Sequence, residues 1–204
     1  MKKSVLYLLA LSLFGVVSCN TNKSEKNITA TSSPQTTSDE ARTINEQSAL
    51  DSLKGSLKAI ATGTIGETNI TVNYYSPAVR GRVIWGGLVP YDNVWVTGAH
   101  KATNIEFDSK VKIGDTEVAA GKYALFTIPG KDEWTIILNK NWEQHLADDY
   151  AQSDDIVRIK VKPETEDINQ ERLRCVIEGE TGSKGEVVIY WEKLEVSLPV
   201  ESIK

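Results

Sequence analysis

From about Ser56 onward, apolar side chains recur at every second position, and that habit limits what this chain can fold into. Ile70, Val72 and Tyr74 alternate with Thr71, Asn73 and Tyr75; Ile105 and Phe107 alternate with Asn104 and Glu106. Val157, Ile159 and Val161 alternate with Arg158, Lys160 and Lys162, and Val187, Ile189 and Trp191 continue the pattern. Side chains that point alternately to two faces describe half-buried antiparallel strands, whereas a helix would repeat every 3.6 residues. Gly114-Asp115 sets a two-residue hairpin between Val111–Ile113 and Thr116–Val118. Pro129-Gly130-Lys131-Asp132 joins Tyr123–Ile128 to Trp134–Leu138, and these two runs are partly apolar on both faces, as central strands are.

One phase error is informative. Val187, Ile189 and Trp191 are odd positions, but Leu194, Val196 and Leu198 are even. One extra residue near Glu192-Lys193 accounts for this, as a β-bulge does. About nine short strands with tight turns predict an all-β fold, an antiparallel two-sheet β-sandwich of jelly-roll-like form over residues 56–204. Asn141–Ala147 is expected to form a single helical turn, and Ile44–Leu57 a weak helix.

The first residues are an address. Lys2 and Lys3 precede an apolar region of thirteen residues, Val5–Val17, a length that suits a secretion signal and is short for the ~20 residues of a membrane-spanning helix. The run ends in Val16-Val17-Ser18-Cys19, which resembles a bacterial lipobox. The resemblance implies a cleaved signal peptide at 1–18 and lipidation of Cys19. Losing Lys2 and Lys3 with the leader moves the formal charge from −5 to −7. An acidic chain has no electrostatic reason to bind nucleic acid or an anionic bilayer, so the lipid on Cys19 would make the membrane contact. Asn20, rather than an acid, follows Cys19. Outer-membrane anchorage facing the periplasm is therefore expected, with surface display as the variant. Residues 19–55 are Ser/Thr/Asn-rich and aromatic-free, the composition of a disordered tether with a span of ~35 Å.

Reaction motifs are scarce. No Gly-rich phosphate cradle, His-Glu-x-x-His or Gly-x-Ser-x-Gly is present. His100, His145, Glu143 and Asp148 have the chemistry of zinc ligands, but their spacing does not require a site, so no metal and no cofactor is expected. Asp148, Asp149, Asp154 and Asp155 flank Tyr150 and read as solvated turns rather than a catalytic pair. Cys175 sits in phase with Leu173 and Ile177 as a buried structural thiol, with Arg172 and Arg174 on the opposite phase. Asp51-Ser52-Leu53 has the form of a bacterial O-glycosylation tripeptide, a pattern too short to exceed chance.

The long connection from Ser76 to His100 concentrates the remaining chemistry. Arg80 and Arg82 bracket Gly81 and, in an extended segment, would leave on one side as a fork. They would bridge carbonyls or the acids Asp92 or Glu106, or clamp an external anion. Trp134 and Trp191 fall in strand phase and belong to the core. Trp85 and Trp95 lie in the connection, and Trp142 beside another, where a Trp plugs the open end of a sandwich or stacks on a ligand. The candidate ligand-binding or loop-clasp residues are Arg80, Arg82, Trp85, Asp92, Trp95 and His100.

Several runs in this region resemble the bacterial family called domain of unknown function 2911. They are Tyr74-Tyr75-Ser76-Pro77, Arg80-Gly81-Arg82, Ile84-Trp85-Gly86-Gly87-Leu88-Val89-Pro90-Tyr91, Trp95 and Thr97-Gly98-Ala99. Ala120–Gly130, Trp134–Asn139 and Ile189-Tyr190-Trp191-Glu192 follow in order. The resemblance covers roughly Ser56 to Val200 and implies fold and compartment but no activity. Val96 stands where the family tends to have Arg, and His100-Lys101 where it tends to have Asn-Glu. The expected function is an envelope-anchored, non-enzymatic binding or interaction module for a small molecule, glycan or protein. The alternative is an envelope hydrolase or lyase with its site in the Arg80–His100 loop.

Overall fold

A computed structural model describes residues 40–204; the leader, Cys19 and the tether as far as residue 39 lie outside the described residues. Among the described residues, ten strands form two antiparallel sheets. They are β1 (Leu57–Ile65), β2 (Thr68–Ser76), β3 (Asn104–Phe107), β4 (Val111–Ile113), β5 (Thr116–Val118) and β6 (Gly121–Ile128). β7 (Trp134–Asn139), β8 (Asp155–Val161), β9 (Glu164–Gly179) and β10 (Lys184–Ser202) complete the set. The larger sheet runs β1-β2-β3-β6-β7-β8 and the smaller β5-β4-β10-β9. The larger sheet is a meander, interrupted once where the β4-β5 hairpin crosses to the smaller sheet. The expected β-sandwich is the observed architecture.

The alternation sorts side chains as expected. Ile70, Val72 and Tyr74 of β2, Ile105 and Phe107 of β3, and Val187, Ile189 and Trp191 of β10 are all buried in one core between the sheets. A large apolar side chain fully buried in this way contributes about 1.5–3 kcal/mol. β7 is buried at all six positions, because its outer face is covered as well. There Ile137 joins Phe126, Val96, Ala102 and Ala124 in a second small cluster under the connections. Gly114-Asp115 joins β4 to β5 as a two-residue loop, with Ile113 paired to Thr116.

The bulge lies where the phase shift put it. The β9–β10 register slips on both sides of Glu192, whose φ is 58°. The slip lets β10 pair with β9 along its first part and with β4 at Glu201 and Ser202. Cys175 is buried, burial pushes its thiol pKa up, and its N–H donates to the Tyr74 hydroxyl at 3.1 Å.

Three expectations change. Asn141–Ala147 holds turns rather than a helical turn, and a short 3-10 helix comes later at Gln152–Asp154. The Gln144 carbonyl accepts from Ala102 and its side chain donates to the Asn141 carbonyl at 2.6 Å, so these groups are diverted from a helix. Ile44–Leu57 is not helical either, and the flexible tether does not continue to Gly55. Residues 42–55 instead form a strap against both sheets. Arg42 forms a parallel bridge with Ala59 of β1, Ile44 is buried, and Glu171 of β9 donates its N–H to the Gln47 carbonyl at 2.7 Å. Ile44 is the one large apolar side chain the segment buries, and buried polar side chains of β9 take up its backbone groups.

Candidate functional site

The connection after β2 is stitched to both sheets. Val79 donates to the Glu171 carbonyl at 2.8 Å and Leu173 to the Pro77 carbonyl at 3.0 Å, which ties Pro77–Val79 to β9. Further on, Trp95 and Thr127 exchange backbone hydrogen bonds at 2.7 and 3.0 Å, so Trp95 pairs with β6 beyond the end of β3. Gly98 passes so close to β2 that a Cβ there would lie 2.9 Å from the Tyr75 carbonyl oxygen.

Arg80 and Arg82 do not form an extended fork. Arg80 and Gly81 have φ of 50° and 65°, which reverses the chain between the two side chains. The Arg80 guanidinium reaches the Leu53 and Gly55 carbonyls of the strap, and the Arg80 backbone N–H donates to Glu171 Oε1 at 2.9 Å. Arg82 folds back, its Nε donating to the Val79 carbonyl at 3.1 Å and its Nη2 to that of Ala78. Neither reaches the two acids considered. Glu106 pairs with Lys122 at 3.1 Å, and Asp92 sits exposed at φ 60° with its N–H on the Pro129 carbonyl at 2.8 Å.

Trp85 and Trp95 enter between the sheets. Trp85 packs edge-on against Trp134 of β7 at 4.8 Å and Trp191 of β10 at 5.7 Å between ring centroids. Trp95 stacks on Trp191 at 5.6 Å and meets Trp85 edge-on at 5.8 Å. One tryptophan from each sheet and two from the connection thus share one cluster. The indole N–H groups of Trp85, Trp134 and Trp191 have no hydrogen-bond acceptor among the described residues.

Sequence reasoning missed the residue that organises this region. Arg172, on the phase expected to face solvent, is 1% exposed. Its guanidinium pairs with Asp51 and donates to the carbonyls of Ser76 at 2.9 Å, Leu53 at 2.9 Å and Gly55 at 3.2 Å. Gln170 and Glu171 beside it are also buried. The available signal was the polar run Gln170-Glu171-Arg172 directly before the apolar Leu173.

What the connection leaves open is its end. His100, exposed at φ 63°, meets the Tyr75 ring edge-on at 5.0 Å. Its carbonyl accepts from Leu146 at 2.8 Å, and Lys101 bridges to His145. Two adjoining depressions of about 300 and 250 Å3 share Lys101, Ala102 and Asn104. Trp142, Gln144 and His145 extend one, and Lys58, Asn73 and Tyr75 the other. Asn73 donates to Asn104 at 3.3 Å in the groove, and Lys122 sits 4.8 Å from the Trp142 ring centroid. Of the predicted residues, Trp85 and Trp95 come together, Arg80 and Arg82 diverge, Asp92 stands apart, and His100 borders the groove.

With this geometry in place, the comparison with known families is informative. A family model described as protein of unknown function (DUF2911) matches residues 56–200. The chain belongs to this family. No curated protein and no solved structure matches it. The DUF2911 match contains the tryptophan cluster, Arg172 and both depressions, whereas Asp51 and the strap precede it.

The acidic run of this DUF2911 chain is dispersed into structural contacts. The Asp155 carboxylate accepts from Asn139 at 2.8 Å, from the Tyr150 hydroxyl at 2.7 Å and from Arg158 at 2.7 Å. Burial and that carboxylate push the Tyr150 phenol up to about 12. Asp148 pairs with His145 Nδ1 at 2.8 Å in the open. A base with an orienting acid has the form of a catalytic pair, but no hydroxyl or thiol bonds to this imidazole among the described residues. Among the described residues no three His, Cys, Asp or Glu side chains come together to hold a metal ion.

Proposed function

We propose that this DUF2911 protein is a lipid-anchored, non-enzymatic binding module. Cys19 carries the anchor at the outer membrane, the sandwich faces the periplasm, and surface display is the variant arrangement. The ligand face is the groove of Lys101, Asn104, Tyr75, Trp142 and His145. The observation that supports this reading most is how the polar groups are divided. Arg80 and Arg82 are bonded to backbone carbonyls and Trp85 and Trp95 pack inward, while Lys101 and His145 stand exposed on a concave surface. A pocket with aromatic walls and a few polar groups is the ordinary form of a small-ligand site.

Charge narrows the ligand. Lys101 lies where the two depressions meet, with Glu143 as the acid in their lining, while His145 is already paired with Asp148. The groove therefore suits a polar molecule with a carboxylate, such as an acidic sugar. The test is a thermal-shift titration of the mature protein with uronic acids and N-acetylmuramic acid beside their neutral counterparts. Binding to the folded state alone raises Tm with ligand excess. The expected outcome is a saturable rise with the acidic members, lost in Lys101→Ala. No saturable rise with any probe, or an equal rise in Lys101→Ala, removes this assignment.

A further inference from the structure

We infer that the trough along β1 and β9 is a second binding site, one for an extended peptide bearing a carboxylate, and that the chain's own strap occupies it. This rests on the strap's contacts and is independent of the groove. Nearly all of these contacts are to strap backbone. Arg42 donates to the Lys58 carbonyl at 3.1 Å and accepts from Ile60 at 3.0 Å, a one-residue addition to the β1 edge. Gln170 reads three backbone groups of two segments: its Oε1 accepts from Gln47 at 3.2 Å, and its Nε2 donates to Asn45 at 3.2 Å and to Arg172 at 2.8 Å. Arg172 and Arg80 both hold the Leu53 and Gly55 carbonyls.

Backbone recognition of this kind tolerates most sequences, as in other cases where a peptide is added to a sheet edge. Two side chains carry the selectivity. Ile44 is buried, and the Asp51 carboxylate pairs with the buried Arg172 guanidinium. The rest of the strap contributes little, with Leu50 75% and Leu53 47% exposed. A peptide with an apolar residue seven positions before an acid presents the same features. The strap stays in place in part because it is tethered, since a linked segment acts at an effective concentration near the millimolar range. A partner with better apolar anchors displaces it.

The experiment uses the full mature chain with Cys19→Ser, so that no lipid is attached. A fluorescein-labelled peptide of residues 40–56 is titrated by anisotropy into this parent and into Asp51→Asn, which loosens the internal latch. Far-UV circular dichroism and cooperative melting establish that both are folded. Binding to Asp51→Asn is expected to be at least tenfold tighter than to the parent. The same peptide carrying Asp51→Asn is expected to bind at least tenfold more weakly. Hydrogen exchange gives a second readout. The amides of Ile60 and Glu171, both bonded to the strap, are expected to exchange faster than those of β7. If folded Asp51→Asn binds the peptide no better than the parent, or if these amides are protected as strongly as β7, the strap is a fixed part of the fold and the inference fails.

Discussion

Arg172 and the Arg80/Arg82 pair do similar work at different depths. All three guanidinium groups bond to carbonyls at the junction between the connection and β9. Arg172 is 1% exposed and holds a carboxylate and three carbonyls from two separate segments, whereas Arg80 and Arg82 are exposed. A buried guanidinium keeps its charge only if nearly every donor is matched, so its neighbours must be placed around it. Near the surface, water can replace a lost carbonyl, and the same bond counts for less. The residues most conspicuous in the sequence are therefore the more dispensable ones in the fold.

Arg172→Ala puts the role of depth to the strongest test. It strands the Asp51 carboxylate and the Ser76 carbonyl and leaves Leu53 and Gly55 to Arg80 alone, and the expected loss is about 3–5 kcal/mol, measured by urea unfolding. Arg82→Ala should cost about 1 kcal/mol, since the Val79 carbonyl keeps its bond from the Arg82 backbone N–H, and Arg80→Ala no more than that, since Arg172 still holds the Leu53 and Gly55 carbonyls. If Arg82→Ala proves as costly as Arg172→Ala, depth is not what separates them.

The smallest effect tests the region beside the bulge. Burial and the neighbouring Glu166 and Glu164 raise the Glu195 carboxyl above its ordinary range. A carboxyl raised in the folded state binds its proton more tightly there than in the unfolded chain. Its contribution is therefore most favourable at low pH and is lost as pH rises from about 4.3 through the folded value. Relative to the parent, Glu195→Gln should flatten the fall in Tm across that window, by on the order of a few tenths of a kcal/mol. An unchanged slope would mean that Glu195 titrates as an ordinary surface acid.

Legibility followed locality. The β-sandwich, the Gly114-Asp115 turn and the bulge at Glu192 were all readable, because each depends on neighbours along the chain. The strap was not readable. Its apolar residues are too few and too irregularly spaced to mark an element, and the groups that hold it, Gln170, Glu171 and Arg172, lie more than a hundred residues away. The groove was half readable. His100 stood out in the connection, but Lys101, Asn104 and Trp142 belong to one surface only because Lys101 bridges to His145.

The alternation of apolar and polar residues commits this chain to half-buried strands and marks where they turn and where one strand slips register. A two-residue period and glycine-bearing turns leave the backbone few alternatives. Which charges are internal depends instead on how distant segments pack. Strand phase assigns a side chain to one face or the other, and it placed Arg172 on the outer face. Whether an outer face meets water depends on what distant segment comes to lie on it. Here the strap and the connection cover that face, and Arg172 became a buried hub whose partners come from both.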